Sequence, residues 1–490
     1  MTDEFQRRSV LKADAARVVL AGGDHAVPMR SAPETHNVRP LLAARLSALA
    51  RRHGVPGAQL AIHHDGETIA FEVGEAEHRT GQKVRRDTAF PVGSITKAFT
   101  ATVAMILVAD GDLELDAPVG EHLPELNGLG DDITLAQLLS HTSGFVSGPE
   151  VDDASSVSLR RYVKDHCHRG NLVLPCGTGF SYSNMGYIVV GRLIETITGM
   201  SWQEAMESIL LRPLGITPAF VGPSEGKGMR PKASGHSVNL AAGRTRAVPQ
   251  QLTAAEAPTG ALAVSATDLV ALGRLHLDSG NTGLLPAGHT ALMRRDIAAT
   301  VPFGLADGWG CGLALFHDGD TSDARTTWAG HDGNADGTSC YLRIDPAGGW
   351  IVAFTSNANT GAAMWRDLLT ELDRSRQVPI GQRPPWLPTG RPVPPPHGCA
   401  GTYANGDVEF VVNVRDVTAY LSVDGQPFTA LTVYEDLSFS VRDPHSGAQV
   451  LAGCFTDDPV SHRVNGIQLG GRIARPRPQT VRESRQRRIA

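Results

Sequence analysis

Residues 90–107 have the sequence FPVGSITKAFTATVAMIL. The first four residues are strand-like, and those after Ser94 are apolar on almost every side of a helix, which is typical of a helix buried in a large domain. Ser94 and Lys97 stand three positions apart, so the lysine amine can approach the serine hydroxyl on one helical face. Burial in a dry cleft would lower the pKa of Lys97 and let it accept the serine proton. This stretch predicts a core helix that presents a nucleophile at its start.

The segment FSYSNMGY, residues 180–187, supplies further side chains that such a serine would need. It places the Tyr182 hydroxyl two residues from the Asn184 amide, in a predicted loop that leads into a helix. Tyrosine is usually a packing residue with a satisfied hydroxyl. Near a lysine ammonium, however, we expect the pKa of Tyr182 to fall far enough for its hydroxyl to relay a proton.

The segment GHDGN, residues 330–334, stands directly before Ser339 to Ile344, which we predict to be an edge strand. Its glycines would let a substrate approach the backbone closely. His331 can donate a hydrogen bond or carry a charge near neutral pH. Alone it would be interpreted as an ordinary loop histidine, just as Ser94 alone would be interpreted as a helix cap.

Together, the three segments resemble, in this order, the three signatures of the serine penicillin-recognising family. Further similarity to its class C β-lactamase branch lies in ITLAQLLSHTSG at residues 133–144, in RPLGI at residues 212–216, and between Pro258 and Gly273. The resemblance covers about residues 37–375. In that family the segment that contains His141 is structural.

The resemblance implies a role for each residue of the predicted site. Ser94 would be the nucleophile, Lys97 and Tyr182 would relay its proton, and Asn184 would orient the substrate or Lys97. The oxyanion would lie between the backbone amides of Ser94 and Asn334. The predicted catalytic residues are completed by His331, and the substrate-binding residues by Gly333.

His331 marks a departure from the family pattern, because most β-lactamases of this branch have lysine there. In having histidine at this position, the chain resembles D-aminopeptidase-like enzymes, some esterases, and penicillin-binding-protein-type cyclases and transacylases of natural-product pathways. The resemblance therefore implies a serine acyl-enzyme hydrolase or acyltransferase that acts on an ester, amide or peptide, with water, an amine or an alcohol as acceptor. Two alternatives remain open: a slowly acylating penicillin-binding or sensor-type relative, and a true β-lactamase.

The order of predicted elements indicates an α+β fold. A helix from Pro40 precedes a hairpin that turns at Asp65-Gly66. Helical patterns dominate residues 94–280, and strand patterns return from Trp309. This order predicts an antiparallel sheet flanked by helices, built from both ends of the domain, with a helical subdomain inserted between its strands.

Five segments are predicted along the chain. They are a flexible N-terminal tail (1–36), a β-lactamase/transpeptidase-like catalytic domain (37–375), a Pro-rich linker (376–396), a small antiparallel, lipocalin-like β-barrel (397–474) and a basic tail (475–490). The linker is indicated by eight prolines within residues 379–396, since such composition favours an extended connector.

Composition excludes several classes of function. A hydrophobic fraction of 41% and a charged fraction of 20% are those of an ordinary globular protein, and we predict no membrane span. The formal net charge of −6 argues against a nucleic-acid partner. The six cysteines are scattered and predicted to be free thiols, and neither a metal nor a cofactor is implied. The expected partner is a small molecule or peptide with an ester or amide bond, with an amine as a possible acceptor; the oligomeric state stays open.

The N-terminus bears on localisation. Arg7-Arg8-Ser9 resembles part of a twin-arginine export signal. Asp14, Arg17 and Asp24 interrupt the apolar stretch that such a signal requires. We therefore expect a cytoplasmic protein, with export as the alternative.

Overall fold

The computed structural model describes residues 38–148, 158–222, 230–278, 283–317, 327–375, 378–380, 390–442, 449–458, 460–461 and 463–477. The predicted N-terminal tail, with its Arg7-Arg8 pair, lies outside the described residues, and so do residues 478–490 of the predicted basic tail. Part of the Pro-rich linker, residues 381–389, also lies outside them.

The described helices begin and end where local chemistry favours it. The Ser183 hydroxyl accepts a hydrogen bond from the Gly186 N–H at 3.0 Å and so caps one helix, and Gly111, with φ of 84°, ends another. The helices are α1 (Val38–Arg52), α2 (Thr96–Asp110), α3 (Leu135–Leu139), α4 (Leu159–His166), α5 (Asn184–Thr198), α6 (Trp202–Ala205), α7 (Ala257–Gly260), α8 (Ala266–Arg274), α9 (Ala287–Met293) and α10 (Gly361–Ser375).

The described strands fall into two large sheets and two short ribbons. They are β1 (Gly57–His64), β2 (Glu67–Gly74), β3 (Phe90–Pro91), β4 (Gly235–Asn239), β5 (Arg244–Val248), β6 (Ala263–Val264), β7 (Gly308–Trp309), β8 (Ala314–His317), β9 (Thr327–Ala335), β10 (Thr338–Asp345), β11 (Trp350–Ser356), β12 (Pro392–Val393), β13 (Gly401–Asn405), β14 (Val408–Arg415), β15 (Thr418–Val423), β16 (Thr429–Tyr434), β17 (Ser438–Arg442), β18 (Gln449–Asp457), β19 (Val464–Leu469) and β20 (Arg472–Pro476).

The first domain is built on a seven-stranded antiparallel sheet in the order β2-β1-β11-β10-β9-β8-β7. The turn between β1 and β2 has positive φ at both Asp65 and Gly66, as the predicted hairpin requires. Helices α1 and α10 cover one face of the sheet, while α8 and the helices between β3 and β7 pack on the other. The predicted fold class, a sheet built from both ends of the domain with helices inserted, is therefore confirmed.

Helix α2 lies at the centre of the domain. Every residue from Thr96 to Leu107 is buried, and the helix packs against α5 and α7. The segment Gly93–Asp110 is long and apolar enough to cross a membrane by composition, but 78% of it is buried inside the protein. It is therefore the core helix that the sequence predicts.

The GHDGN segment differs from its prediction. Residues 331–334 lie within β9 itself, and β10 lies between β9 and β11 rather than at an edge. The prediction of an edge strand at Ser339 to Ile344 is wrong because strands β7 to β9, which precede β10 in the chain, continue the sheet on its far side.

The second domain is a closed barrel of the eight strands β13 to β20, because β16 pairs with β17 and joins the two ends of the sheet. Strand β12 adds to β16 outside this circuit. The predicted C-terminal β-barrel is confirmed. Its last strand runs to Pro476, so Arg475 belongs to the barrel and not to the predicted tail; its guanidinium donates to Val173 O and Asn465 O.

The six cysteines form no disulfide. Four of them, Cys167, Cys311, Cys340 and Cys399, are buried in the cores of the two domains. They behave as small apolar residues, as the predicted free thiols would.

Candidate active site

Ser94 and Lys97 meet at the start of helix α2. Ser94 lies in a 3₁₀ turn, Gly93–Ile95, that runs directly into the helix. The Lys97 amine is 3.0 Å from Ser94 Oγ and donates a second hydrogen bond to Thr259 O at 3.0 Å. The predicted contact between nucleophile and amine is therefore present.

Lys97 is only 1% exposed. Burial lowers its pKa well below the usual lysine value, and the nearby positive charge of Arg472 lowers it further, against the opposing attraction of Glu256. Desolvation penalises the ammonium because the protein interior replaces its hydration shell poorly. The favoured neutral amine is the form that can accept the Ser94 proton.

Tyr182 shares the nucleophile with Lys97. Its hydroxyl hydrogen-bonds Ser94, and Lys97 Nζ is 5.1 Å from the centre of its ring. Burial raises the pKa of Tyr182 to about 12, outweighing the hydrogen bond to Ser94 and the charge of Arg472. The expectation of a lowered pKa is wrong, because desolvation dominates and Lys97 itself is driven towards the neutral form. Tyr182 is therefore a protonated phenol that can donate or pass on a proton.

Asn184 opens helix α5, next to the capping residue Ser183. Its side chain lines a cavity of about 430 Å³ that also touches Ser147, Tyr162 and Glu256 of the first domain and Asp407 of the barrel. Among the described residues, the hydrogen bonds of the Lys97 amine go to Ser94 and Thr259 rather than to Asn184. Both roles that the resemblance implied for Asn184 stay predictions, since the cavity is lined by neither Ser94 nor Lys97.

His331 is 2% exposed and lies against the ring of Trp309, edge to face at 5.4 Å between centres. Its Nδ1–H donates to Asp332 O at 2.6 Å, which leaves Nε2 as an acceptor without a partner among the described residues. Burial, and secondarily the charge of Lys97, lowers the pKa of His331 to about 4. The expectation that this histidine could carry a charge near neutral pH is therefore wrong.

At Gly333 and Asn334, strand β9 packs closely against the 3₁₀ turn that contains Ser94. A Cβ at Gly333 would lie 1.9 Å from Val92 O, and one at Gly93 would lie 2.1 Å from Asn334 O. Glycine is needed at 333 for this close packing rather than for access of a substrate. The contact sets the Asn334 backbone beside that of Ser94, as the predicted oxyanion site requires.

His141 packs against the ring of Tyr182. It is fully buried, its ring centre is 4.2 Å from that of Tyr182, and its Nδ1 accepts a hydrogen bond from the Ser183 N–H at 3.1 Å. Burial lowers the pKa of His141 well below its usual value. The residue is placed to support Tyr182 and Ser183 and not to contact Ser94.

Arg472 is not among the site residues that the sequence predicts. This residue opens β20, after a tight turn at Gly470 and Gly471, both of which have positive φ. Its guanidinium carbon is 5.0 Å from the centre of the Tyr182 ring, and its Nε–H donates to Ser147 Oγ at 3.1 Å. The glycine pair predicts a turn, but no local pattern indicates that the turn of a separate barrel reaches the nucleophile.

Main-chain contacts hold the barrel turn in place. The Tyr182 N–H donates to Gly471 O at 2.9 Å, and the Gly471 N–H donates to Phe303 O at 2.7 Å. Asn405 of β13 accepts from the Ser147 N–H at 2.6 Å and donates to Ile473 O at 2.7 Å. The site is therefore completed by both domains.

The assembled groups suit nucleophilic acyl transfer. They include a nucleophile, an amine whose pKa is lowered by burial, a phenol, and backbone amides beside the attacking oxygen. Within the parts of the chain that the structure describes, no group of three His, Cys, Asp or Glu side chains could hold a metal ion.

Comparison with known proteins gives consistent matches. A family model described as Beta-lactamase matches residues 38–374. Penicillin-binding protein 4 of Amycolatopsis lactamdurans is 35% identical over 342 residues, which cover 67% of this chain and 87% of that protein. Esterase EstB of Burkholderia gladioli is 30% identical over 312 residues, which cover 55% of this chain and 79% of the esterase.

Two solved structures match beyond the first domain. SurE is 38% identical with a TM-score of 0.80, and the match covers 90% of this chain and 99% of SurE. SurE with D-Leu is also 38% identical, with a TM-score of 0.78 and coverage of 90% and 100%. Coverage of this extent includes the barrel as well as the nucleophile.

Proposed function

Because the chain belongs to the β-lactamase family, whose members are acyl-enzyme serine hydrolases, we propose that it is a serine acyltransferase that takes an acyl group from an ester or amide onto Ser94 and passes it to an amine. Hydrolysis would be the competing fate of the same acyl-enzyme. The contact of 3.0 Å between Ser94 Oγ and the buried Lys97 amine carries the proposal. It places beside the nucleophile a base whose pKa is lowered by burial.

In the proposed first step, the Ser94 proton passes to the Lys97 amine as Oγ forms a bond with the acyl carbon. The backbone amides of Ser94 and Asn334 stabilise the oxyanion. When the bond to the leaving group breaks, the Lys97 ammonium returns the proton through the Tyr182 hydroxyl to the leaving atom. An acceptor amine then runs the same steps in reverse order and releases Ser94.

Restricted access of water favours transfer over hydrolysis. Lys97, Tyr182 and His331 are each at most 6% exposed, and the barrel turn covers Tyr182 through Gly471 and Arg472. Ser94 itself is half-buried, so an acyl group on it is partly shielded from bulk water, whereas an acceptor bound beside it reacts at high effective concentration.

A D-configured residue at the acyl carbonyl is proposed from the solved relative. One structure of SurE holds D-Leu, and its match extends over both domains of this chain. We therefore propose an acyl donor that ends in a D-amino acid.

A slowly acylating binding protein is the weaker alternative. It would be favoured by a permanently protonated Lys97, since an ammonium cannot take the serine proton. Burial and Arg472 both lower the pKa of this lysine, which supports an enzyme.

Intact-mass measurements test the proposal. The protein is incubated with a fluorophosphonate, with the N-acetylcysteamine thioester of N-acetyl-D-leucine, and with its L enantiomer, each with and without benzylamine. We expect a fluorophosphonate adduct, and turnover of the D thioester that is faster with amine and yields the amide.

Ser94→Ala is the matched control, because the change removes a single hydroxyl. It should give neither adduct nor turnover. Turnover retained in Ser94→Ala would contradict the assignment, and turnover of the D thioester to free acid alone would leave a hydrolase.

A further inference from the structure

Arg472 is a half-buried residue whose guanidinium has no acidic partner among the described residues. Its surroundings exclude enough water to lower its pKa from the usual arginine value, and only Tyr182 opposes this effect. Among the described residues, no carboxylate forms an ion pair with it. A charge that is removed from water without a partner costs folding free energy, so a bound anion would stabilise this group where the described residues offer none.

The contacts of Arg472 leave most of its donors available. A guanidinium carries five N–H donors. Within the described part of the chain, only the Nε–H has an acceptor, Ser147 Oγ at 3.1 Å, while the planar group packs on the Tyr182 ring. The N–H groups on the two terminal nitrogens are a fork that matches the two oxygens of a carboxylate.

The other positive groups around the nucleophile cannot take that role. Lys97 is held by Ser94 and Thr259 and must be neutral to act as a base. His331 has its Nδ1–H donated to Asp332 O, and Arg343 is paired with Asp332. Arg472 is therefore the permanent and uncommitted charge beside the reacting groups.

The position of Arg472 on Tyr182 indicates which part of a substrate it meets. Tyr182 relays the proton to the leaving atom and takes it back from the attacking atom. By microscopic reversibility, the leaving group and the acceptor occupy the same place. A cation that packs on the Tyr182 ring lies on that side of the scissile bond rather than on the side of the acyl chain.

We propose that Arg472 of the barrel binds a carboxylate carried by the leaving group, or by the acceptor that replaces it, and so selects amino-acid-like groups at that position. The inference rests on the proposed acyl transfer and adds the chemical class of its second substrate. It also gives the barrel a direct part in substrate selection.

Two matched esters test it. N-acetyl-D-leucine is esterified through the hydroxyl of glycolate, which carries a carboxylate, or of glycolamide, which is neutral and nearly the same size. For the wild-type protein we expect kcat/KM to be larger for the glycolate ester by at least about 30-fold, the usual size of a desolvated charge pair. In Arg472→Gln the ratio should fall to about one, and Arg472→Lys should retain part of it, because lysine keeps the charge but not the fork.

Arg477→Gln is the control variant. Arg477 directly follows the same strand, and its guanidinium pairs with Glu409 of the barrel itself, so its loss should leave the ratio at the wild-type value. Equal kcat/KM for the two esters in the wild-type protein, or an unchanged ratio in Arg472→Gln, would overturn the inference.

Labelling of Ser94 by a fluorophosphonate separates this inference from the proposed function. Absence of labelling in the wild-type protein would defeat acyl transfer itself, whereas labelling without a preference for the glycolate ester would defeat only the role of Arg472. If Arg472→Gln does not fold, inhibition of the wild-type protein decides: glycolate should inhibit far better than glycolamide, and equal inhibition would count against the carboxylate site.

Discussion

Two basic residues lie near the ring of Tyr182, and they differ in how readily they lose their charge. Lys97 Nζ is 5.1 Å from the ring centre, and the guanidinium carbon of Arg472 is 5.0 Å from it. Lysine can lose its proton in a dry site, whereas arginine keeps its charge. The site thus combines a charge that can be switched off with one that cannot, which suits the first to proton transfer and the second to binding an anion.

The two residues also reach the site by different physical routes. Lys97 is fixed by helix periodicity, since it lies three residues after Ser94 at the start of α2. Arg472 arrives through docking of the barrel, in which Gly471 O accepts from the Tyr182 N–H and Asn405 bonds across the domain boundary. Spacing within one helix therefore places the nucleophile beside its proposed base, and packing of the two domains adds the residue to which we assign carboxylate selectivity.

Lys97→Arg should have the largest effect on activity, because it replaces the proposed base with a second permanent charge. We expect the rate of acylation of Ser94 to fall by roughly a thousandfold or more, in line with loss of a general base. Stopped-flow acylation by an activated ester measures it. The opposite exchange, Arg472→Lys, should cost far less, and near-normal acylation in Lys97→Arg would show that Lys97 is not the base.

Tyr182→Phe tests whether the residue between the two cations relays protons. The change keeps the ring on which Arg472 packs and removes only the hydroxyl that bonds Ser94. We expect kcat to fall by roughly a hundredfold, with the preference for a carboxylate-bearing ester retained. Loss of that preference together with kcat would mean that the hydroxyl, and not the ring, holds the arginine.

Asn405→Ala asks whether the arginine depends on docking of the barrel. The change leaves the Ser147 N–H without its acceptor and removes the hydrogen bond to Ile473 O. We expect the free energy of unfolding to fall by about 1–3 kcal/mol and the carboxylate preference to weaken, measured by thermal denaturation and by the ester ratio.

Asn413→Ala is the barrel control for that change. Asn413 lies in β14, and its side chain makes no hydrogen bond to any described residue. Its replacement should therefore leave both quantities nearly unchanged. Equal effects of the two asparagine variants would mean that the Asn405 contacts do not hold the arginine in place.

The smallest expected effect is a shift in pH dependence. Lys97 acts as a base only above its pKa, so the rate of acylation should fall as the pH is lowered through that value. Arg472 lowers the pKa of Lys97, and its removal in Arg472→Gln should move this acidic limb to higher pH. A neutral ester must be used, so that substrate binding does not change at the same time. A limb that moves to lower pH would contradict the repulsion between the two cations.

The sequence was sufficient for the residues whose geometry is local. The contact of Ser94 with Lys97, the helix that follows the FSYSNMGY loop and the turn at Asp65-Gly66 follow from patterns within one element. The lowered pKa expected of Tyr182 and the charge near neutral pH expected of His331 were wrong, because both depend on how much of each side chain is desolvated. Burial is decided by elements that are distant in the chain, and the same is true of the place of Arg472.

The hydrogen bond from the Tyr182 N–H to Gly471 O joins main chain to main chain. It does not depend on which side chains stand on either side, so a barrel from another family member could seat its turn in the same way while presenting a different residue at position 472. Exchange of the barrel by recombination would therefore change the second-substrate preference that we propose while Ser94, Lys97 and Tyr182 of the first domain are retained. In engineering, the coding region for strands β13 to β20 is therefore the part of the gene to exchange between family members.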